Sequence, residues 1–93
     1  MEISLCEIVL SKNGHDKEKY FLVVSKDESF LYLCDGKSRK AQKPKKKNIK
    51  HVIPTEKIDQ YLLEKLKSGD TLTNKEIRYS LKIFKQAIDE KNY

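Results

Sequence analysis

The sequence predicts a β+α fold, a small curled β-barrel followed by two helices, on two observations. Before Pro54 the apolar residues come in short runs that stop at turn formers, and after it they recur at spacings of three and four. A chain of 93 residues fits one domain with a modest core. With 38% apolar and 37% charged residues it is more polar than an average domain, yet its apolar residues are periodic, which argues for folding.

Glu7-Ile8-Val9-Leu10-Ser11 is an apolar run that ends at Lys12-Asn13-Gly14-His15-Asp16, so it reads as a strand entering a loop. Tyr20-Phe21-Leu22-Val23-Val24 supplies the aromatic and β-branched residues that suit a pleated surface. The polar break Lys26-Asp27-Glu28-Ser29 then joins it to Phe30-Leu31-Tyr32-Leu33-Cys34 as a hairpin. Asp35-Gly36 is the strongest short turn signal, because glycine adopts positive φ without steric cost. After a lysine-rich segment, Ile49-Lys50-His51-Val52-Ile53 resumes an apolar run that stops at Pro54. Four or five short strands joined by tight turns suit a small barrel better than a sandwich.

From Pro54 the period changes. Ile58, Tyr61, Leu62 and Leu66 predict one helix face, closed by Ser68-Gly69-Asp70 with glycine just past the helix end. Thr73-Asn74-Lys75-Glu76 predicts a capping box, in which Thr and Glu side chains satisfy each other's backbone amides. Ile77, Leu81, Phe84 and Ile88 then form an apolar stripe, with Arg78, Lys82, Lys85 and Gln86 on other faces. Both stripes read as core contacts, since short helices need a packed face to be stable. The predicted units are a barrel over residues 1–54 and a two-helix extension over 55–93 packed on it.

The segment Lys37 to Lys50 contains Lys37, Arg39, Lys40, Lys43, Lys45, Lys46, Lys47 and Lys50 and no acid. Taking those eight from the 20 Lys and Arg leaves 12 against 14 Asp and Glu, so all of the net +6 lies in this stretch. Charge so concentrated makes a local field that attracts a polyanion. The competing reading is a solvated lysine-rich loop or a localisation signal. No run approaches the ~20 apolar residues of a membrane span, and the first residues lack the pattern of a signal peptide. The expectation is a soluble cytoplasmic protein.

Catalysis finds little support. The sequence has no glycine-rich phosphate loop, no nucleophile motif and no metal-ligand spacing, and it calls for no cofactor. Cys6 and Cys34 lie in or beside apolar runs and read as reduced core thiols. The loop Lys12 to Lys19 unites Lys12, Lys17 and Lys19 with Gly14, so that ammonium groups and backbone amides could approach phosphates together. Asp16 and Glu18 favour a plain solvated connection instead.

The run from Glu7 to Val24 resembles a KOW motif, in which a strand ending near Val9, a loop from Gly14 to Lys17 and an apolar strand from Tyr20 to Val24 follow in order. Asp35-Gly36-Lys37-Ser38-Arg39-Lys40, the run from Lys43 to Lys47 and the pair Lys50-His51 are similar to features of small bacterial KOW-domain RNA-binding proteins, relatives of large-subunit KOW ribosomal proteins of archaea and eukaryotes. The resemblance covers residues 7–55 well and the helices more weakly. It implies an SH3-like barrel and binding of RNA, ribosomal RNA above all, at Lys12, Gly14, His15, Lys17, Lys19, Lys37, Arg39, Lys40, Lys43, Lys45, Lys46, Lys47, Lys50 and His51. One departure is Glu18, where the motif usually has glycine.

The expected function is that of a monomeric, non-catalytic RNA-binding protein, possible ribosomal proteins being further partners. Arg39 offers the planar fork for bidentate phosphate contact, and Tyr20 or Tyr32 could stack on an unpaired base if exposed. The alternative is an SH3-like protein-interaction module in a transcription or translation complex.

Overall fold

The computed structural model describes residues 2–12, 14 and 18–91. Its five strands are β1 (Glu7–Ser11), β2 (Tyr20–Lys26), β3 (Phe30–Cys34), β4 (Lys45–Asn48) and β5 (Val52–Ile58), followed by helices α1 (Gln60–Lys67) and α2 (Asn74–Lys91). All pairings are antiparallel, in the order β4-β3-β2-β1-β5.

The sheet curls without closing. β4 and β5 are its two edges, and edges of a flat five-stranded sheet would stand about 19 Å apart at ~4.8 Å per strand. Only a 3-10 turn, Ile49–His51, joins them, and four Cα steps span at most about 14 Å. The connection therefore forces strong curvature, while β4 and β5 are not paired as neighbouring strands. The expected barrel is thus an open, curled sheet.

At β1 and β2 both faces of the sheet are buried, which explains why these strands read as continuous apolar runs rather than alternating ones. Ile8, Leu22 and Cys34 lie opposite one another across three strands and pack with Cys6, Leu62, Leu72, Ile77 and Leu81 under the helices. Val9, Phe21, Val23, Leu31, Leu33 and Val52 fill the other face together with Ile3. Cys6 and Cys34 are free buried thiols. Burial, aided by Asp59 and Asp35 respectively, pushes each thiol up to about 11, so both are protonated at neutral pH.

Two sequence boundaries move. Ile49–His51 is a 3-10 turn and β5 runs through Pro54 to Ile58, which lies opposite Glu7. Proline is tolerated there because β5 is an edge strand. A division at residue 54 would cut β5, and Ile58 belongs to the sheet rather than to α1. Helix α1 starts instead after Asp59, whose Oδ1 accepts from the Leu62 amide (3.0 Å). Tyr61, expected on the packed face of α1, is 69% exposed.

The capping box of α2 forms as predicted. The Glu76 amide donates to Thr73 Oγ1 (3.1 Å) and the Thr73 amide to Glu76 Oε1 (3.0 Å). Lys65 of α1 adds an ion pair to Glu76 at 2.7 Å, which ties the helices together. Asp59 links three elements: its amide donates to the Cys6 carbonyl (2.9 Å) and its Oδ2 accepts from Ser80 of α2 (2.6 Å).

Candidate nucleic-acid interface

The β1–β2 hairpin closes at Ser11. The Ser11 amide donates to the Lys19 carbonyl (2.9 Å) and the Glu18 amide to the Ser11 carbonyl (2.8 Å), with Glu18 at φ +65°. Two residues thus oppose one, with the first left-handed, which is the arrangement of a G1 bulge and normally uses glycine. A glycine would meet that conformation without strain, and this chain places a glutamate there. Gly14 is also left-handed, at φ +80°. His15 and Lys17 lie outside the described residues.

The loop meets the end of the basic segment. The Lys12 amide donates to the His51 carbonyl (2.9 Å), and Lys12 Nζ reaches the Lys50 carbonyl at 3.5 Å. Lys47 Nζ lies 3.9 Å from where a Cβ on Gly14 would stand. Curvature of the sheet therefore brings Lys12, Gly14, Lys47, Lys50 and His51 together from opposite ends of the β half. Lys12, Gly14, Lys50 and His51 are exposed, whereas Lys47 is buried.

The eight cations of the basic segment do not form one patch. Strand alternation puts Lys45 and Lys47 opposite Leu33 and Leu31, on the face of the inner core, and Lys46 opposite Tyr32 on the other face. There Lys46 Nζ sits 4.3 Å from the centre of the Phe30 ring. A single nucleic-acid strand on one face cannot use all three equally. Lysines on this edge also discourage strand pairing with another chain.

Upstream, Lys37, Lys40 and Lys43 are exposed, whereas Arg39 is only half-exposed. The turn that holds them is built on Asp35, whose Oδ1 accepts from the amides of Lys37 and Arg39 (2.9 Å each) and whose Oδ2 accepts from Ser38 Oγ (3.0 Å). Burial raises the Asp35 carboxyl, but the Arg39 and Lys37 amides, the Ser38 hydroxyl and nearby Lys19 outweigh it and hold the group below its ordinary value.

Helix α2 is fastened to this turn. The Ala41 amide donates to Asn74 Oδ1 (2.7 Å), Asn74 Nδ2 to Gln42 Oε1 (2.9 Å) and Arg78 Nη1 to the Gly36 carbonyl (2.7 Å). Gly36, at φ +79°, is seated so closely that an added Cβ would stand 2.5 Å from the Asn74 carbonyl oxygen. Lys19 and Lys37 consequently face Arg78, Lys82 and Lys85 across a groove of ≈ 840 Å³. By sequence these three α2 residues fall on the helix faces away from its apolar stripe. Their spacing of four and three marks one stripe in the sequence, but only the docking of α2 reveals what it faces.

Of the two tyrosines named for stacking, Tyr20 is half-buried with its ring edge-on to Phe84 at 5.1 Å. Tyr32 is also half-buried, and its hydroxyl donates to Asp27 Oδ2 (3.2 Å). Among the described residues, Tyr61 and Tyr79 are instead the exposed tyrosines, at 69% and 65%.

Among the described residues there is no group of three or more His, Cys, Asp or Glu placed to hold a metal ion. No helix among them is long and apolar enough to cross a membrane. No protein-family model matches the chain, and no curated protein matches its sequence.

Proposed function

We propose that the chain is a non-catalytic, cytoplasmic RNA-binding protein of the KOW type on an SH3-like scaffold, acting with ribosomal RNA or the large ribosomal subunit. The scaffold reading is supported by the curled five-stranded meander, in which the last strand returns beside the first after a 3-10 turn. The observation that carries the functional reading is the meeting of Lys12 with Lys50 and His51, with Gly14 beside Lys47. Cations gathered at the rim of the sheet, beside a glycine that admits close backbone approach, suit phosphate contact.

The test uses Lys12→Gln/Lys50→Gln, which alters exposed groups only. Binding to a structured ribosomal RNA fragment should weaken, and the slope of log K against log salt should fall by roughly 0.7–0.9 for each lost contact. A slope equal to that of the wild type refutes phosphate contact at this rim.

A second reading, a protein-interaction module, is favoured by one feature. Ile8, Ile58, Ile83, Phe84, Ala87 and Ile88 line an apolar trough along α2, and Ile83 is 45% exposed. Association there would resist salt, whereas RNA binding by counterion release falls steeply with it.

A further inference from the structure

We propose that the groove between α2 and the Asp35–Arg39 turn holds an unpaired stretch of RNA, with Arg78, Lys82 and Lys85 on its phosphates and Tyr79 stacked on a base. The inference rests on the RNA-binding reading and extends it to a helix that the loop and β4 residues do not include.

The first argument is charge placed on two walls. Lys19 and Lys37 stand on one side and Arg78, Lys82 and Lys85 on the other, against the acids Glu18, Asp35 and Asp89. Asp35 is already engaged by two amides and a hydroxyl of its own turn, so its charge is directed inward. The groove measures ≈ 840 Å³. Its walls are fixed relative to each other by Arg78 on the Gly36 carbonyl and by Asn74 on Ala41 and Gln42. The bond to Gly36 uses one of the five N–H donors of the Arg78 guanidinium.

The second argument is the aromatic. Tyr79 borders the groove and is 65% exposed, while Tyr20, also in the lining, has its ring packed against Phe84. An exposed ring beside a row of cations is the combination that single-strand binding uses, with each base stacked on an aromatic face and the backbone held electrostatically. A duplex keeps its bases stacked inside and could not use the ring, so the ligand is unpaired. The groove and the rim share one hairpin: Lys12 and Lys19 stand on its two arms, one beside Lys50 and the other in the groove wall.

The chain contains no tryptophan, so Tyr79→Trp introduces a single indole at the proposed stacking position. Its fluorescence is titrated with an oligouridine of about ten nucleotides, a length within known single-strand site sizes, and with a duplex of equal length. Quenching by the oligouridine and not by the duplex is expected. Tyr79→Ala should weaken oligouridine binding about 10-fold. Lys82→Gln/Lys85→Gln should lower the salt slope by about 1.4, at ~0.7 for each contact to a single strand, with an unchanged thermal melt. An indole that stays unquenched while RNA binds overturns the groove, as does polyglutamate displacing the oligouridine with equal strength. A slope that falls in Lys12→Gln/Lys50→Gln but not in Lys82→Gln/Lys85→Gln removes the groove and leaves the rim reading standing. Absence of any RNA binding by the wild type removes both.

Discussion

Replacing Gly36 with alanine tests whether α2 is seated on the basic turn. The residue sits at φ +79°, and its new Cβ would stand 2.5 Å from the Asn74 carbonyl oxygen and 2.8 Å from Arg78 Cγ. Gly69 provides an internal control, since it has φ +87° but nothing within 4 Å of its Cβ position. Left-handed backbone costs an L-residue about 1–2 kcal/mol, and the lost freedom of the unfolded chain returns about 0.4–1 kcal/mol. Gly69→Ala should therefore cost about 1 kcal/mol. At Gly36 the same strain is joined by overpacking against backbone, for about 1–3 kcal/mol more. The expected total for Gly36→Ala is about 2–4 kcal/mol. Urea titrations followed by circular dichroism measure both variants, with unchanged m values confirming a common unfolded state. In thermal melts each kcal/mol corresponds to about 4–8 °C for a domain of this size. Equal losses for the two alanines would mean that the turn does not pack against α2 as described, and the groove between them would lose its fixed geometry.

Glu18→Gly replaces a left-handed glutamate and should be neutral or stabilising by up to about 1 kcal/mol; it also removes a negative charge beside Lys19, so tighter RNA binding at low salt is expected, and weaker binding in a filter assay would contradict the loop reading. Asp59→Ala removes both the α1 cap and the bond to Ser80; unfolding titrations should record a loss of about 2 kcal/mol from a cap and a hydrogen bond together, and a loss below about 0.5 kcal/mol would deny the residue its linking role. Asp35 has a depressed folded-state value, so its contribution is full above the ordinary aspartate value of about 3.9 and is lost as pH falls through the lower folded value. Melting temperature should accordingly drop less between neutral and strongly acidic pH in Asp35→Asn than in the wild type, and parallel drops would show that the carboxylate does not hold the turn.

Much of the fold was legible because local rules and burial agree. The runs Glu7–Ser11, Tyr20–Val24 and Phe30–Cys34 announce strands, and they remain apolar on both sides because helices cover one face and the curl encloses the other. The Thr73/Glu76 box is entirely local chemistry, spaced within one helical turn. Pro54 misled, since proline marks an end in a central strand but only a missing donor on an edge, and position in the sheet is a tertiary fact. The identity of residue 18 is read from the sequence, while the bulge at φ +65° that would favour glycine there belongs to the hairpin.

By itself the sequence determined the segregation of strands before helices, the Thr73/Glu76 capping box, the glycine that ends α1, and the concentration of cations between Lys37 and Lys50, because each depends on residue type and short spacing. Tertiary structure alone decided where those cations point. Strand alternation separates Lys46 from Lys45 and Lys47, curvature carries Lys50 to Lys12, and the close seating of Gly36 under Asn74 sets Arg78, Lys82 and Lys85 opposite Lys19 and Lys37. A charge count is one-dimensional, whereas a binding surface depends on faces and distances that only the folded backbone fixes.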